Sequence, residues 1–408
     1  MAPLVRRNQE FLTTAEKQTY VTALLELKAA GDYDWYINTH IQAAAEQVVH
    51  GFPSFLPWHR VFVSYLERDL QQTRPTLTIP YWDWTRADDP KTSVWSETFM
   101  GPGGIPVTKG LFAWEPTHRW RCIGPNTGPA LGRSLGNTPG QPSTLPTAEH
   151  VAYCNAWNIY DRSPWDPTAT SVFRAAIEGW IPPDRLPAMH NRVHRWMGGN
   201  MADFGAAPND PVFFLHHANI DRLWAQWQDK HPNAYQPTGE DPREGENIDD
   251  PMAVYTNPQV VIRSVLDTKA ADLNYVYDTQ RPSAQGPVMY PGDVLHRGES
   301  LWDPTHKFEL TLQGTDGNLV LYDYTVTPRR AIWTAWTVSP ETATCIMNFD
   351  GTLAVLDRSD ATLWSRPRQG QVRGSRAYLT SSGTLDIRDL DGRVVWNSEQ
   401  PAPVGADA

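Results

Sequence analysis

One histidine-bearing stretch, His50–Glu67, places the strongest constraint on what this chain can fold into. It contains His50 and His59, nine residues apart, on either side of an apolar turn that holds two prolines. Pro57 stands where the first turn of a helix accepts proline, and the apolar residues after it recur at helical spacing. The sequence therefore predicts a helix that begins shortly before His59, with His50 in the loop that leads into it.

A second histidine cluster follows about 130 residues downstream. His190 and His194 are four residues apart, so both rings project from one face of a helix that the pattern predicts over 188–197. Gly198-Gly199 follows and is expected to end that helix. His217 lies in the longest apolar and aromatic segment of the chain, which predicts a further helix facing the first.

With His40, which lies in a helix predicted over 33–48, the chain offers two trios of histidines in aromatic-rich helical segments. A single histidine is more often a core or surface side chain, but six in two trios favour metal ligands. Imidazole suits zinc, copper, iron and nickel. The sequence contains neither the HExxH pattern of zinc enzymes nor the Glu-x-x-His pairs of di-iron bundles. Two all-histidine trios therefore favour a pair of copper ions with open positions for dioxygen.

Composition and charge exclude several classes of protein. The net charge of −11 argues against a nucleic-acid partner, and no run of 18 apolar residues exists to span a membrane. The three cysteines, Cys122, Cys154 and Cys345, form no CxxC metal site, and three free thiols are favoured over a Cys122–Cys154 bridge. The first residues lack the apolar core of a signal peptide. We therefore expect a cytoplasmic protein, or one exported together with a partner protein.

The rest of the first 285 residues is predicted to form helices joined by long loops. Besides the helices described above, the pattern predicts helices over 13–29, 166–180, 212–228 and 257–273. Asp166 and Thr168 are candidate N-caps, and the proline-rich stretch 181–187 is expected to end the helix that they begin. Tyr81-Trp82-Asp83-Trp84 is too aromatic for an ordinary turn and is expected to pack beneath the histidine site. The polar residues 231–252 are predicted to form a solvated loop.

Three sequence repeats make up the C-terminal region. Each repeat contributes one glycine and one tryptophan, which are Gly317 and Trp333, Gly351 and Trp364, and Gly383 and Trp396. The glycines recur after 34 and 32 residues and the tryptophans after 31 and 32. Equal units of this length predict a three-fold β structure whose tryptophans meet in a shared core. We therefore expect a mainly α domain over 1–285 and an all-β domain over 290–402.

Both histidine clusters carry motifs that resemble the copper signatures of the tyrosinase family, which are coupled binuclear copper proteins. The first motif is His50, Phe55-Leu56, Trp58-His59-Arg60 and Glu67. The second motif is Asp210-Pro211-Val212-Phe213-Phe214, His217 and Asp221. The resemblance covers about residues 1–280 and is greatest to the compact bacterial enzymes. It implies a four-helix bundle that holds two copper ions, with O2 as co-substrate.

The resemblance also implies which residues form the site. It places His40, His50 and His59 on one copper ion and His190, His194 and His217 on the other. The first histidine of the pair His216-His217 is then a neighbour of the site rather than a ligand. Val48 stands where some family members cross-link a cysteine to the middle histidine of the first trio, so no thioether bridge is expected.

Further residues are implied around the copper ligands. Glu178 and Asn191 resemble the pair that holds a water able to deprotonate a phenol, and Arg195 resembles a residue that orients substrates at the entrance. Two residues one helical turn from His217 are singled out by spacing. Asp221 is expected to help fix the orientation of its ring, with an ordinary ion pair to Arg222 or another neighbour as the alternative, and Phe213 is expected to pack against the ring.

The resemblance implies an oxidase that ortho-hydroxylates monophenols and oxidises o-diphenols to o-quinones. The substrate would be a small phenol or catechol, and a small caddie-like protein that delivers copper is an implied partner. Three alternatives stay open, which are an o-aminophenol oxidase at the same site, an oxygen carrier of the hemocyanin kind, and a carbohydrate-binding protein.

The C-terminal region resembles a second family. Asp316-Gly317-Asn318-Leu319-Val320-Leu321-Tyr322 is similar to the mannose-binding signature of bulb-type lectins, which form a three-fold β-prism. Only the first repeat keeps the residues of that signature, and Gln313 lies one residue too far upstream. The resemblance implies a β-prism with at most one weak site for a mannose-type glycan. The alternative is a lid over the copper site, for which Tyr322 or Tyr324 could enter the pocket.

Overall fold

Two compact units make up the chain in a computed structural model. The structure describes residues 2–86, 94–115, 120–125, 127–180, 188–239, 242–256 and 258–399. The first unit is mainly Thr14–Val276, and the second begins at Tyr277. The expected break at 181–187 lies outside the described residues. Among the described residues, no helix combines the length and the apolar character needed to cross a bilayer.

Helices dominate the first unit. They are α1 (Thr14–Ala30), α2 (Tyr33–Ala45), α3 (Phe55–Gln71), α4 (Ala148–Asn155), α5 (Phe173–Glu178), α6 (Met189–Met197) and α7 (Val212–Lys230). Four short strands, β1 (Leu4–Arg6), β2 (Pro251–Thr256), β3 (Gln259–Val261) and β4 (Tyr275–Tyr277), accompany them. The predicted helices over 13–29, 33–48, 188–197 and 212–228 are confirmed to within a few residues at their ends.

The helix predicted over 257–273 is wrong. The structure has the paired strands β2 and β3 here, followed by a short 3-10 turn at Ile262–Val265. The run Val260-Val261-Ile262 is β-branched, and such side chains favour an extended backbone over a helix. Pro258 adds to this because it disfavours helical backbone in the residue before it.

Of the helix predicted over 166–180, only Phe173–Glu178 is present, as α5. Asp166 does not cap it. Its carboxylate accepts hydrogen bonds from the backbone N–H (2.7 Å) and the hydroxyl (2.6 Å) of Thr168, which closes a local turn. Aspartate competes with helices in this way because its short side chain bonds its own neighbouring backbone. The helix begins only after this turn.

Helices α3 and α7 form the centre of the first unit. The rings of Phe62 and Phe214 stack with centroids 5.5 Å apart across the contact. The buried guanidinium of Arg60 donates to Asp221 at 2.6 Å, so that a charged pair also joins the two helices. Nearly every residue of both helices is buried, as expected for helices that are apolar on most sides.

Glycines end α6 as predicted. Gly198 and Gly199 have φ angles of +62° and +51°, which L side chains rarely adopt. A Cβ atom on Gly199 would lie 1.8 Å from the carbonyl oxygen of Gly132, so only glycine fits there. The chain can therefore turn sharply after His194 and place the next loop against the histidine site.

Apart from one short 3-10 turn at Asp278–Gln280, the regular elements of the second unit are strands within its described residues. They are β5 (Val288–Met289), β6 (Val294–His296), β7 (Ser300–Trp302), β8 (Phe308–Leu312), β9 (Leu319–Asp323), β10 (Arg330–Thr334), β11 (Thr342–Met347), β12 (Leu353–Asp357), β13 (Thr362–Arg366), β14 (Arg376–Leu379), β15 (Leu385–Arg388) and β16 (Val394–Asn397). They form three four-stranded antiparallel sheets in the orders β10-β9-β8-β7, β13-β12-β11-β6 and β16-β15-β14-β5. This is the three-repeat β-prism that the sequence predicts.

The three repeat tryptophans meet as predicted. The ring centroids of Trp333, Trp364 and Trp396 lie 5.5 to 6.2 Å apart in edge-to-face pairs. Each tryptophan comes from the last strand of its own sheet, so the three sheets share one core. Edge-to-face contacts between aromatic rings add to the free energy gained from burial alone.

Candidate metal centre

Seven imidazoles, all buried except the half-buried His194, form two adjoining groups in the first unit. The first group is His40, His50 and His59, and the second is His190, His194, His216 and His217. Within each group the nitrogens that could bind a metal lie within 4.8 Å of one another. The groups adjoin because the rings of His59 and His217 stack with centroids 4.2 Å apart. The structure thus brings all six predicted ligands together.

Hydrogen bonds to carbonyl groups orient three of the rings. The Nδ1–H of His40 donates to Gly205 (2.7 Å), that of His59 to Phe55 (2.9 Å) and that of His194 to Met201 (2.7 Å). A carbonyl oxygen can only accept, so each Nδ1 carries the proton and each Nε2 keeps a lone pair. None of the three Nε2 atoms has a hydrogen-bond partner among the described residues.

The ring of His190 is oriented by a side chain instead. Its Nδ1 lies 2.9 Å from Oδ1 of Asn191, and its Nε2 is also buried without a partner among the residues that the structure describes. Buried nitrogens without partners are costly, and one metal ion bound in each group would satisfy those of that group.

His216 and His217 differ in which nitrogens remain available. The indole N–H of Trp84 donates to Nδ1 of His216 at 3.1 Å. An indole nitrogen is only a donor, so the proton of a neutral His216 ring lies on Nε2 and no lone pair remains for a metal. His217 has no hydrogen-bond partner at either ring nitrogen within the described part of the chain. His217 is therefore the member of the pair that fits a metal ion.

Burial keeps these histidines neutral. It lowers the pKa of His40 and of His194 to about 4. Burial, with repulsion from neighbouring imidazoles, lowers the pKa values of His50, His59, His190, His216 and His217 well below the usual range. Neutral imidazole is the form that binds metals, and a donor set of imidazoles alone suits copper.

A cavity of about 580 Å³ opens onto the second histidine group. His190 and His194 form part of its wall, and His50 reaches it from the first group. Two aromatic side chains stand at its rim, where Phe204 is 56% exposed and Trp180 is 41% exposed. The ring of Phe204 also packs on His50, with centroids 4.3 Å apart. A flat aromatic molecule can reach the imidazoles through this opening.

Comparison with known proteins identifies the family. A family model described as the common central domain of tyrosinase matches residues 30–230. The tyrosinase of Streptomyces antibioticus is 41% identical over 249 residues, which are 58% of this chain and 88% of that protein. The chain belongs to the tyrosinase family. It is accordingly a copper-dependent oxidase of phenols, and the family implies a binuclear copper centre.

Two further comparisons agree with membership of the tyrosinase family. Grixazone synthase of Streptomyces griseus subsp. griseus is 37% identical over 276 residues, covering 57% of this chain and 88% of that enzyme. A polyphenol oxidase from Thermothelomyces thermophila, solved as a mutant, superposes with a TM-score of 0.52 at 20% identity. That superposition covers 67% of this chain and 88% of that one. At that identity the likeness shows a shared fold.

The three other predicted site residues lie at different depths around the cavity of this tyrosinase-family protein. Asn191 and Arg195 line it, and Arg195 is exposed, with its guanidinium 3.3 Å from Oε1 of Gln141. Glu178 is fully buried behind the wall. Its carboxylate accepts from the backbone N–H of Gly51 (2.6 Å) and from Arg174 (3.3 Å). Burial raises the pKa of Glu178 to about 7.

Of the two residues one turn from His217, Phe213 has the expected role and Asp221 has the alternative one, an ion pair. Phe213 packs on the ring as predicted, with centroids 4.1 Å apart. Asp221 makes no hydrogen bond to His217, because neither ring nitrogen has a partner among the described residues. Asp221 instead accepts from Arg60 (2.6 Å) and from the hydroxyl of Tyr275. It joins α3 to α7 rather than orienting the ring.

The cysteines take no part in the centre. Cys122, Cys154 and Cys345 are buried free thiols, as predicted, and burial raises the pKa of Cys122 to about 12. Thiols with raised pKa values are unreactive. The residue at the cross-linking position is Val48, so the middle histidine of the first trio has no covalent tether of that kind.

In the second unit, the polar side chains of the signature around Tyr322 are hydrogen-bonded to other groups of the same unit. The side-chain amide of Gln313 donates to the hydroxyl of Tyr322 at 2.7 Å. Oδ1 of Asn318 accepts from the hydroxyl of Thr334 and from the backbone N–H of Thr337, both at 3.0 Å. These polar groups already bind one another, so a sugar would have to displace them. The sugar site and the lid both stay predictions.

Proposed function

We propose that this enzyme ortho-hydroxylates monophenols and oxidises o-diphenols to o-quinones, with O2 as co-substrate. One observation carries the proposal. Two adjoining groups of neutral imidazoles contain buried ring nitrogens that lack partners among the described residues, and three of these histidines, His50, His190 and His194, line a cavity large enough for a flat aromatic ring. This supports dicopper chemistry on a phenol in a chain of the tyrosinase family.

Six histidines would hold the two copper ions. We assign His40, His50 and His59 to one ion and His190, His194 and His217 to the other. Three nitrogens for each ion leave coordination positions open. When bound, the copper pair supplies the electron transfer between dioxygen and the substrate.

Glu178 and Asn191 would handle the phenol proton. Asn191 lines the cavity and its Oδ1 holds the ring of His190, so its amide nitrogen can donate to a water in the cavity. Glu178 lies next to the cavity wall, and its pKa of about 7, raised by burial, lets its carboxylate accept a proton near neutral pH. A water between them would carry the proton from the phenol oxygen to the carboxylate.

The rim of the cavity would orient the substrate. Phe204 and Trp180 offer aromatic faces to a phenol ring. The guanidinium of Arg195 is held near Gln141 and can bind a polar group at the far end of the substrate. The walls and Arg195 together would place the hydroxyl towards the histidines.

A second candidate reaction is the oxidation of o-aminophenols at the same site. It is favoured by the similarity to grixazone synthase, a relative of comparable identity that is not named as a tyrosinase. An amino group ortho to a phenol hydroxyl occupies nearly the same space as a second hydroxyl.

Two partners are proposed beyond the substrate. A small caddie-like protein would deliver copper to the histidines, and this proposal is supported by the burial of most of their unpartnered ring nitrogens. A mannose-type glycan would bind weakly at the signature around Tyr322. A glycan array tests the second partner, and copper transfer from a purified loaded chaperone tests the first.

The experiment that tests the function compares metals and substrates on the full-length chain. Copper-loaded and zinc-loaded protein are each given L-tyrosine, L-DOPA and 2-aminophenol under air. We expect two copper ions per chain and quinone formation from L-tyrosine and L-DOPA with copper only. Turnover of 2-aminophenol alone would favour the second candidate. Two bound copper ions without any turnover would favour an oxygen carrier.

A further inference from the structure

Two proposed copper ligands, His50 and His217, have no hydrogen bond that fixes the ring at Nδ1, and of these two only His50 lies outside the helices. The rings of His40, His59, His190 and His194 are each fixed by a hydrogen bond at Nδ1. Nδ1 of His50 has no hydrogen-bond partner among the described residues. His50 also lies outside the helices, in the loop between α2 and α3. Its position therefore depends on whatever holds that loop.

Other parts of the first unit hold the loop Gln47–Ser54 by its backbone. Four hydrogen bonds do so, from Arg243 to the carbonyl of Gln47 (2.7 Å), from Gly51 N–H to Glu178 (2.6 Å), from the Tyr160 hydroxyl to the carbonyl of Pro53 (2.6 Å) and from Ser54 N–H to Glu246 (2.7 Å). Two of the four come from one short segment, Arg243–Glu246. The segment therefore contacts the loop at its first residue, Gln47, and at its last residue, Ser54.

Glu246 is buried although Arg243 and Glu244, just before it in the sequence, are exposed. It lies in a polar stretch predicted to be solvated, yet it is only 2% exposed. Hydrogen bonds fix the backbone of the segment that carries Glu246. The carboxylate of Asp250 accepts from the N–H groups of Gly245 (3.1 Å) and Asn247 (3.0 Å), and the hydroxyl of Tyr235 donates to the carbonyl of Glu246 (2.8 Å). Because the backbone is held on both sides of Glu246, its buried carboxylate has a defined position.

The carboxylate of Glu246 also holds the start of α3. Ser54 precedes the helix, and its own side chain makes no capping hydrogen bond. Glu246 does not replace that cap, but it accepts from the backbone N–H of Ser54 itself, which holds the residue that precedes the first turn of α3. Because α3 carries His59, this one side chain fixes the origin of that helix and the end of the His50 loop.

Arg243 holds the opposite end of the loop. Its guanidinium donates to Gln47 and lies over the ring of Phe52, 4.2 Å from the ring centroid. Its side chain is exposed, so its hydrogen bond contributes less than the buried one made by Glu246. Removing the Arg243 side chain should therefore loosen the loop in the same way as removing Glu246, but to a smaller extent.

We propose that Glu246 is a positioning residue for the copper ligand His50, with Arg243 as the weaker second contact. The inference rests on the proposed function, in which His50 binds the first copper ion. Without an acceptor at Glu246, the buried N–H of Ser54 loses its partner and the loop can shift away from the ion. Loss of the contacts that orient a ligand typically weakens metal binding about tenfold to a hundredfold. The second copper ion should be unaffected because α6 and α7 hold its ligands.

Copper release from the full-length protein tests this proposal. Wild type, Glu246→Ala, Glu246→Gln, Arg243→Ala and the matched control Glu244→Ala are loaded with copper and mixed with bicinchoninate under reducing conditions. Glu244 is an exposed glutamate two positions away. We expect Glu246→Ala to release one of its two ions at least about tenfold faster than wild type, and the other at the wild-type rate.

The conservative variants separate positioning from general stability. Glu246→Gln keeps an oxygen that can accept from Ser54, so it should release copper at nearly the wild-type rate. Glu244→Ala should match wild type, and Arg243→Ala should speed the release of one ion by a smaller factor. If Glu246→Ala does not fold, as judged by circular dichroism, the rate of copper release from Arg243→Ala tests the proposal instead.

Three results would overturn the proposal. The first is a lower melting temperature of copper-free Glu246→Ala with unchanged copper release, since that would make Glu246 merely structural. The second is equal acceleration of both ions. The third is a wild-type protein that binds fewer than two copper ions, which would refute the proposed function and not only the positioning role of Glu246.

Discussion

Trp84 and His216 are joined by a hydrogen bond from the indole N–H to Nδ1, across 3.1 Å. This contact settles the tautomer of a neutral His216, because indole can only donate. It thereby distinguishes two neighbouring histidines that are equally close to His190 and His194. One residue of register along α7 separates a metal ligand from a side chain that packs behind it.

Alanine variants of the two histidines should bind different amounts of copper. We expect His217→Ala to keep one copper ion per chain, because only His190 and His194 then remain for the second ion. His216→Ala should keep two ions, because the lone pair of His216 is already used by Trp84. Metal analysis of the dialysed full-length proteins measures the ratio. Two ions in His217→Ala and one in His216→Ala would reverse the assignment.

The histidine pattern could be predicted from the sequence because its spacing is local. His190 and His194 lie one turn apart on a helix that ends at a glycine pair, and the structure has that helix and that ending. The aromatic turn at Trp84 was expected beneath the site, and it contacts His216. Helical period and glycine geometry act within a few residues, so sequence patterns report them well.

Glu246 could not be predicted because its burial is not local. The stretch around it is rich in glycine and charge, and such composition is typical of a solvated loop. Its partner, the N–H of Ser54, lies 192 residues away in the sequence. The helix wrongly predicted over 257–273 failed for a different reason, since the β-branched run at Val260 carried a contrary local signal. Contacts between distant segments leave no periodicity in either of them.

Replacing Glu178 by glutamine should impair the hydroxylation of monophenols more than the oxidation of diphenols. A positioned base contributes about a hundredfold or more, so the rate with L-tyrosine should fall by at least that factor. The pKa of Glu178 is raised to about 7 by burial, and a base acts only when deprotonated. Activity of the wild type on L-tyrosine should therefore rise with pH up to about 7 and then level off.

The pH profile of Glu178→Gln is the control for that assignment. The rise towards neutral pH should disappear from its remaining activity on L-tyrosine, and its activity on L-DOPA should keep the wild-type profile. Steady-state rates between pH 5 and pH 9 measure both. An unchanged rise in the variant would show that another group accepts the proton.

Removing the carboxylate of Asp221 should destabilise the helical unit strongly. Asp221→Ala leaves the guanidinium of Arg60, which is fully buried, without this partner. Breaking a buried ion pair by removing one partner costs about 3–5 kcal/mol in the free energy of unfolding. Asp249→Ala breaks the exposed pair with Arg263 and should cost less than about 1 kcal/mol. Urea denaturation compares the two variants, and similar losses would contradict the role given to Asp221.

The contribution of Glu246 to stability should fall as the pH rises through the range in which its carboxyl group ionises. Burial raises its pKa in the folded protein from 4.5 to about 7, so the folded state holds a proton that the unfolded state has released. The contribution of this group to the free energy of unfolding is then largest below pH 4.5 and decreases until about pH 7. Glu246→Gln has no such proton. Its stability relative to wild type should therefore increase by about 3 kcal/mol between these limits. Denaturation of both copper-free proteins across pH 4–8 measures this difference, and the exposed Glu244→Gln should show none. A constant difference between Glu246→Gln and wild type would mean that the buried carboxylate is already ionised at pH 5.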